Sequence, residues 1–428
     1  MKMFGTVRWT VVALLFLGGM INYLDRSAIA VAAPFLTRQL SLSPSELGWV
    51  FSVFFFGYAA FCFVGGYASD RIGGRNVFAI ASVVWSIFCA LTAFVFSYAS
   101  LLIVRLIFGM GEGPYGSATN KLVSNWFPRR EHAGAVGWAN AGTPLGGAIA
   151  GPIVGFIALA YGWRVSFVVI AIIGLCWTVA WMLIVTERPE QNPRTRSAER
   201  ALIAADQEAP QAGPPAKLGP LLTRPSVLAT AFAFFGYAYI LYFFLAWFPS
   251  YLTMQQHLSI KSMSFVSAIP WLLGFIGLAG GGMVCDWIFR LTGNAVLSRK
   301  LVLVGGLLVA AVCVALAGTV TSVGPAVALM SISVFFMYLT GNTYWAIILD
   351  TIEKRRVGGV SGFVHLIANL AGIVAPAATG YMVQASGSFT SAFVLTGAIG
   401  VLGALSVAVF VRSPAVVVPA LPRTVSRA

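Results

Sequence analysis

Residues 66–75, GYASDRIGGR, form a short polar stretch that follows one long apolar segment and precedes another. A partial copy, GMVCD, occupies residues 282–286, and Arg290 follows it four positions on. The two copies are 216 residues apart, about half of the 428-residue chain. A motif that returns at half the chain length, after an equivalent apolar segment, predicts a chain built from two parallel halves.

The composition of the chain predicts an integral membrane protein. Hydrophobic residues make up 59% of the sequence and charged residues only 9%, whereas a soluble domain carries about 25% charged residues. The apolar segments run for about 20 residues or more without alternation, which fits membrane-spanning helices and not the strands of a barrel. Helices of this length satisfy their own backbone hydrogen bonds in lipid.

Twelve helices are predicted, in two sets of six. A polar, Pro- and Gly-rich stretch separates the sets. The predicted domains are an N-terminal half (1–186), a cytoplasmic linker (187–225), a C-terminal half (226–411) and a cytoplasmic tail (412–428). The predicted spans are 9–33, 46–68, 76–97, 100–124, 132–160, 163–185, 226–253, 262–285, 299–318, 323–349, 358–384 and 389–411.

The Lys and Arg residues predict the orientation. With both termini on one face, that face collects 22 of the 27 basic residues, and the other face has only Arg38, Arg164 and Lys261. Cytoplasmic loops carry such an excess. We therefore expect a multi-pass protein of the bacterial inner (plasma) membrane with both termini cytoplasmic. Sidedness also accounts for the net charge of +14 without a nucleic-acid partner.

Four charged residues lie inside apolar segments: Asp25 and Arg26 in the first, Arg105 and Glu112 in the fourth. Each costs roughly 3 to more than 10 kcal/mol near the bilayer centre, so such groups pair, line a wet cavity or bind something. Two helical turns separate Arg105 from Glu112, which places them on one face about 10 Å apart, too far to bond. The adjacent Asp25 and Arg26 side chains diverge by about 100°. Structural ion pairs to neighbouring helices are the alternative to a binding site.

Residues 66–75 match the G-x-x-x-D-R-x-G-x-R pattern of the major facilitator superfamily, in the expected loop between the second and third helices. The chain further resembles the anion:cation symporter branch of that superfamily, and the resemblance covers nearly its whole length. It rests on INYLDR (21–26), RLIFGMGEGP (105–114), NWFPRRE (125–131), FFLAWFP (243–249) and ANLAG (368–372). The branch includes proton-coupled importers of galactonate, glucarate and hexuronates. The resemblance implies an all-α fold of twelve helices in two six-helix halves.

The resemblance also implies roles for individual residues. The substrate carboxylate would bind Arg26 and Arg105, because an arginine fork bonds both oxygens and stays charged. Asp25 and Glu112 would carry protons, because burial favours the neutral form of a carboxyl. The other implied substrate contacts are Tyr58, Tyr23, Thr143 and Asn369, and the implied gating residues are Gly66, Asp70, Arg71, Gly73, Arg75 and Asp286. Ordinary aromatic packing for Tyr58 and an interhelical hydrogen bond for Asn369 are the alternatives.

The fifth helix departs from the sugar-acid importers of that branch. Where their pattern is similar to Asn-Ser-Ala-Gln, this chain has Asn-Ala-Gly-Thr at 140–143. A hydroxyl thus replaces an amide, and other organic acids remain open as substrates. The aromatic residues Tyr237, Tyr239, Tyr242, Trp271, Tyr338, Tyr344 and Trp345 could line an aromatic-acid pocket, although packing and interface anchoring are more usual roles.

We expect a proton-coupled symporter that imports a small organic anion by alternating access, and that acts as a monomer. An anion exchanger or facilitator, a drug-type exporter and a non-transporting membrane sensor are the alternatives. An enzyme is not expected, because the sequence has no phosphate loop and no activated Ser or Cys arrangement. The three histidines and five cysteines have no metal-ligand spacing, so no cofactor is expected beyond a coupling ion, H⁺.

Overall fold

The computed structural model describes residues 6–204, 218–352 and 357–411, and within them the chain forms α-helices and one short 3₁₀-helix but no strand. The α-helices are α1 (Val7–Leu40), α2 (Pro44–Ile72), α3 (Gly74–Thr92), α4 (Tyr98–Glu112), α5 (Tyr115–Trp126), α6 (Arg129–Asn140), α7 (Gly142–Tyr161), α8 (Trp163–Ile184), α9 (Ser197–Ala204), α10 (Leu218–Leu222), α11 (Pro225–Met254), α12 (Ile260–Val266), α13 (Ala268–Thr292), α14 (Ala295–Ala317), α15 (Val323–Thr340), α16 (Thr343–Thr351), α17 (Val357–Ser386) and α18 (Thr390–Phe410). This all-α architecture confirms the predicted fold class.

Eleven helical stretches in the described residues are long and apolar enough to cross a membrane. The fourth predicted span, 100–124, consists of α4 and α5 and bends between them, because the backbone at Gly113 and Pro114 stays in the right-handed helical region. The bend follows from Pro114, which lacks a backbone N–H and cannot continue the hydrogen-bond ladder of α4. Glu112 is therefore the last residue of α4.

Bends also occur in three other predicted spans. The fifth span is α6 and α7, the eighth is α12 and α13, and the tenth is α15 and α16. At Ala141, Ser267, Gly341 and Asn342 the backbone stays in the right-handed helical region, so these three spans bend but do not stop. Hydropathy alone does not register such bends, because it describes the composition of a segment and not the direction of its backbone.

The two halves meet mainly at the end of the bundle that lies away from the N-terminus. Near the start of α2, a Cβ on Gly48 would lie 2.7 Å from the Pro376 carbonyl oxygen of α17. One turn further, the Ser52 hydroxyl donates to the Ile373 carbonyl at 2.7 Å. On the other side of the bundle, a Cβ on Gly151 of α7 would collide with Ser264 of α12. Backbone contact at both seams closes this end.

The predicted two-fold repeat appears as a capping contact that occurs in both halves. Arg75, at the start of α3, donates from Nη2 to the Met182 carbonyl at 2.6 Å and from Nε to the Val185 carbonyl at the end of α8. Lys300 of α14 donates to the Val411 carbonyl at 2.8 Å, at the end of α18. A cation at a helix C-terminus satisfies free carbonyls and complements the helix dipole.

The first part of the predicted linker contacts the N-terminal half. Glu199 of α9 accepts a hydrogen bond from the Arg8 backbone N–H at 3.1 Å, and the Arg8 guanidinium lies 3.0 Å from Glu131. The predicted limits of the halves lie next to helix ends, since α8 ends at Ile184 and α11 begins at Pro225. Residues 205–217 of the predicted linker and the predicted tail, 412–428, lie outside the described residues.

Candidate substrate-binding site

An ion pair between α1 and α4 lies at the centre of the N-terminal half. Arg26 donates from Nε at 2.9 Å and from Nη2 at 2.6 Å, both to Oε2 of Glu112. The two side chains are 3% and 0% exposed. Both hydrogen bonds come from one edge of the guanidinium. The Oδ1 atom of Asn22, one helical turn earlier on α1, lies 3.5 Å from Nη2.

Aromatic rings surround the Arg26 guanidinium. Its carbon lies 5.0 Å from the ring centre of Tyr23, 5.0 Å from that of Phe54 and 4.7 Å from that of Tyr58. These distances are typical of cation–π contacts. The structure therefore brings two predicted substrate contacts, Tyr23 and Tyr58, against Arg26. Phe54 is a component that the sequence did not single out, because nothing distinguishes it from the other phenylalanines of α2.

Arg105 lies next to this cluster without an ion-pair partner among the described residues. Its guanidinium carbon is 4.7 Å from the ring centre of Phe54 and 5.0 Å from that of Phe108. The residue is 4% exposed, and its Nε has no hydrogen bond. Glu112 bonds to Arg26 instead, in keeping with the two-turn separation in the sequence. Phe54 thus contacts both buried arginines.

Asp25 faces away from Arg26, as expected for consecutive residues of a helix. One oxygen lies 4.0 Å from the Cys89 sulfur of α3, and the other has no hydrogen bond with a described residue. The residue is 1% exposed. Asp25 is therefore a buried carboxyl that contacts a thiol and forms no ion pair with an arginine among the described residues.

The C-terminal half presents an aromatic wall to these residues. Trp271 of α13 packs edge-on against Tyr23 with ring centres 6.0 Å apart, and Tyr242 of α11 lies 4.2 Å from Phe55 of α2. The Tyr338 ring lies beside that of Trp271, with ring centres 6.4 Å apart. Of the aromatic residues singled out in the sequence, Trp271 and Tyr242 thus make the contacts between the halves.

The two remaining predicted substrate contacts already have intramolecular partners. Asn369 accepts a hydrogen bond from the Tyr242 hydroxyl at 2.9 Å and donates to the His365 carbonyl at 2.9 Å. The Thr143 hydroxyl donates to the Asn140 carbonyl at 2.8 Å. Each group keeps further hydrogen-bonding capacity.

The space between the two walls is small. A cavity of about 10 Å³, room for about one water molecule, lies between Ser27 and Val31 of α1, Gly147 of α7 and Trp271 of α13. A Cβ on Gly147 would lie 2.4 Å from the Trp271 ring, closer than side chains can approach. The walls therefore touch on the side of the site that leads to the closed end.

The predicted gating residues make contacts within the N-terminal half. Asp70 binds Lys121 of α5 at 2.7 Å, and Arg71 lies over the Tyr67 ring at 4.5 Å. Gly73 has φ +87°, a conformation that favours glycine. In the partial copy, the Asp286 carbonyl accepts from Arg290.

Residues beside the gating motif make its closest contacts. The close helix approach at this point belongs to Gly65, whose Cβ would lie 2.5 Å from Pro114, whereas a Cβ on Gly66 would be 3.7 Å from Ser117. The N-terminus of α3 is bonded by Glu187, which accepts from the backbone N–H groups of Gly74 and Arg75 at 3.1 and 2.8 Å. Glu187 follows α8 in sequence, and no local pattern links it to α3.

Two helical halves that enclose a buried cluster of arginines and carboxyls between them define a membrane transporter. Residues 15–376 match the Major Facilitator Superfamily, and the chain belongs to this superfamily. The predicted fold of twelve spans in two halves is thereby confirmed as the major facilitator fold.

Similar proteins transport organic acids. The chain is 49% identical to the hexuronate transporter of Bacillus subtilis, over 96% of both chains. It is 33% identical to a probable sulfoacetate transporter of Cupriavidus necator, over 90% of both, and 31% identical to a probable galactarate/D-glucarate transporter of Bacillus subtilis, over 94% and 91%. These relatives confirm the resemblance to sugar-acid and organic-acid transporters, and they are transporters and not enzymes.

Solved structures show the same fold. A D-xylose–proton symporter matches with a TM-score of 0.76 at 19% identity, over 95% of this chain and 98% of that one. A bacterial homologue of the human lysosomal transporter Spinster, in an inward-facing and occupied conformation, matches with a TM-score of 0.74 at 18% identity, over 95% and 97%.

Proposed function

We propose that this protein is a proton-coupled symporter that imports a small organic anion of the sugar-acid class. The observation that carries the proposal is the buried ion pair between Arg26 and Glu112, with a second arginine, Arg105, beside it. A site with two buried guanidinium groups suits a carboxylate, and a carboxyl bound to one of them suits a proton that competes with the substrate.

In this proposal the substrate carboxylate and Glu112 compete for Arg26. When Glu112 takes up a proton, it loses the charge that holds the guanidinium, and Arg26 becomes free to bind the anion. Binding then replaces one carboxylate by another, so the Arg26 guanidinium is not left without a counter-charge, which would be costly. Proton loss restores the ion pair and expels the anion.

Asp25 is the second proposed proton site. It is buried and is not paired with an arginine among the described residues, so its charge has no compensating partner in this state. A carboxyl in such surroundings is retained only if it is neutral for part of the cycle or serves a function.

The contacts between the halves support alternating access. The seams at Gly48 and Gly151 close the end away from the N-terminus. With the excess of basic residues placing the termini in the cytoplasm of a bacterial inner-membrane protein, the sealed end faces outward. Release would then occur toward the cytoplasm, which is the direction of import, by a protein acting as a monomer.

The substrate class comes from the relatives. A hexuronate transporter is 49% identical over almost the whole chain, and sulfoacetate and galactarate/D-glucarate transporters follow at 33% and 31%. Each of these names describes a small organic acid, and all but sulfoacetate are sugar acids. Thr143 departs from the sugar-acid pattern, but its hydroxyl bonds to the Asn140 carbonyl at the end of α6. This departure therefore leaves both buried arginines in place.

Uptake by the purified protein in liposomes tests the proposal. We expect radiolabelled D-glucuronate to accumulate above equilibrium when the outside is acidified, and a protonophore to abolish this accumulation. Exchange that requires internal anion and ignores the pH gradient would establish an exchanger, and downhill flux alone a facilitator. Efflux of apolar cations would establish an exporter, and binding without any flux a sensor.

A further inference from the structure

The buried charges of this protein lie on one side of the site. Among the side chains that the structure describes, the buried charged residues are Arg8, Asp25, Arg26, Arg105, Glu112 and Glu199. All of them precede residue 205, and the four at the site belong to α1 and α4. The described wall of the C-terminal half offers phenols, an indole and an amide, but no buried charge. A substrate between the walls would therefore meet positive groups at only one end.

One polar atom of the C-terminal wall is short of hydrogen bonds. Tyr338 of α15 is 4% exposed, and its hydroxyl makes no hydrogen bond of ordinary geometry with a described residue, although it faces the Tyr23 hydroxyl of α1. Its ring is fixed between Trp271 and Tyr237, whose centres are each 6.4 Å away, and packs on Gly274. A buried hydroxyl left unsatisfied destabilises the fold, so such an atom calls for an explanation.

The position of Tyr338 supplies that explanation. The side chain is near enough to Arg26 and Tyr23 to interact electrostatically with both, and its neighbour Trp271 contacts Tyr23 directly. The hydroxyl thus points into the region between the arginines and the neutral wall. A group that occupied this region with its carboxylate on Arg26 would place its other end beside Tyr338.

We infer that the site selects hydroxylated monocarboxylates, and that Tyr338 is a specificity-determining residue that hydrogen-bonds a substrate hydroxyl. This inference rests on the proposed function, because it requires the carboxylate to bind at Arg26. A hexuronate meets both conditions, since it has one carboxylate and several hydroxyls. A hexarate would direct its second carboxylate at a wall without a cation, and burying an unpaired charge is far more costly than burying a hydroxyl.

Three anions of similar size separate the effect of a second carboxylate from the effect of the hydroxyls. D-glucuronate has one carboxylate and hydroxyls, D-glucarate has two carboxylates, and cyclohexanecarboxylate has one carboxylate and no hydroxyl. Binding of each to the purified full-length protein is measured by titration calorimetry, and uptake of the first two in liposomes. Tyr338→Phe removes only the hydroxyl. Tyr344→Phe is the matched control, because the Tyr344 hydroxyl faces Thr340 within its own half.

We expect the wild-type protein to bind D-glucuronate at least about tenfold more tightly than D-glucarate. Tyr338→Phe is expected to weaken D-glucuronate binding about 3- to 10-fold, the effect of one neutral hydrogen bond, and to leave cyclohexanecarboxylate binding unchanged. Tyr344→Phe is expected to leave both unchanged.

Two different results would overturn the two proposals separately. Equal wild-type affinity for D-glucuronate and D-glucarate, or equal losses for both monocarboxylates in Tyr338→Phe, would contradict the specificity inference and leave the proposed function intact. No binding or uptake of any of the three anions by a folded wild-type protein would contradict the proposed function itself.

Discussion

The Arg26 fork and the Glu112 carboxylate meet through a single oxygen. Both hydrogen bonds, at 2.9 and 2.6 Å, end on Oε2, and Oε1 receives none from a described residue. Arginine–carboxylate pairs are strongest when two donors meet two oxygens. A substrate carboxylate that offers both oxygens would therefore bind Arg26 in a better geometry than Glu112 does, which suits the exchange of partners in the cycle that we propose.

Glu112→Gln separates binding from coupling. The amide keeps the shape of the side chain but cannot take up or release a proton in the cycle. We expect exchange of labelled for unlabelled D-glucuronate to continue, while accumulation driven by a pH gradient falls to the level without a gradient. Glu190→Gln, an exposed glutamate, is the control. Uphill uptake at the wild-type level would remove Glu112 from the coupling step.

Arg26→Lys tests whether the planar fork matters or only the charge. Lysine keeps the positive charge but loses the side-by-side donors and the flat face that stacks between Tyr23 and Tyr58. We expect uptake at low substrate concentration to fall roughly 10- to 100-fold. Arg38→Lys, on the same helix but exposed, should transport normally. Unimpaired uptake by Arg26→Lys would mean that Arg105 alone binds the carboxylate.

Gly151→Leu tests the seam between α7 and α12. Any side chain at this position meets the Ser264 backbone, so the closed end should no longer close. We expect net uptake to be lost while D-glucuronate binding, measured as thermal stabilisation, is kept. Gly324→Leu, at a glycine with open space around it, provides the comparison. Normal uptake in Gly151→Leu would show that transport does not require this contact.

Glu187→Ala tests the capping of α3. The carboxylate bonds two backbone N–H groups of α3 and the Asn125 side chain of α5. Losing an N-terminal cap costs about 1–2 kcal/mol, so we expect a lower midpoint of thermal unfolding in detergent, with the KM of the remaining folded protein unchanged. Glu190→Ala should not shift the midpoint. An unchanged midpoint in Glu187→Ala would show that water replaces the cap at no cost.

The sequence was sufficient for the fold and for the identity of the buried charges, because both depend on local composition. Twenty apolar residues specify a membrane helix, and a charge within them is conspicuous. The seven-residue spacing also separated Arg105 from Glu112 correctly. The family motifs then identified the superfamily.

Contacts between segments distant in the chain were beyond sequence reasoning. The partner of Glu112 is 86 residues away on α1, and the cap of α3 comes from a glutamate 113 residues from Gly74. Gly65, and not Gly66, faces Pro114 because of the rotation of α2 about its axis. An error of one residue in the predicted helix phase assigns this contact to the wrong glycine. The lack of an ordinary hydrogen bond at the Tyr338 hydroxyl depends on the positions of every neighbouring group, and no pattern in the chain records it.

The capping contact at the ends of α8 and α18 also bears on the history of the chain. Arg75 and Lys300 make the same contact in the two halves, as expected for descendants of one duplicated ancestral unit. Among the described side chains, the buried charges of the site occur in only one copy. The capping contact is therefore a feature that both copies share, whereas the carboxylate and proton chemistry that we propose would belong to the N-terminal copy alone and would leave the C-terminal copy to contact the uncharged part of the substrate.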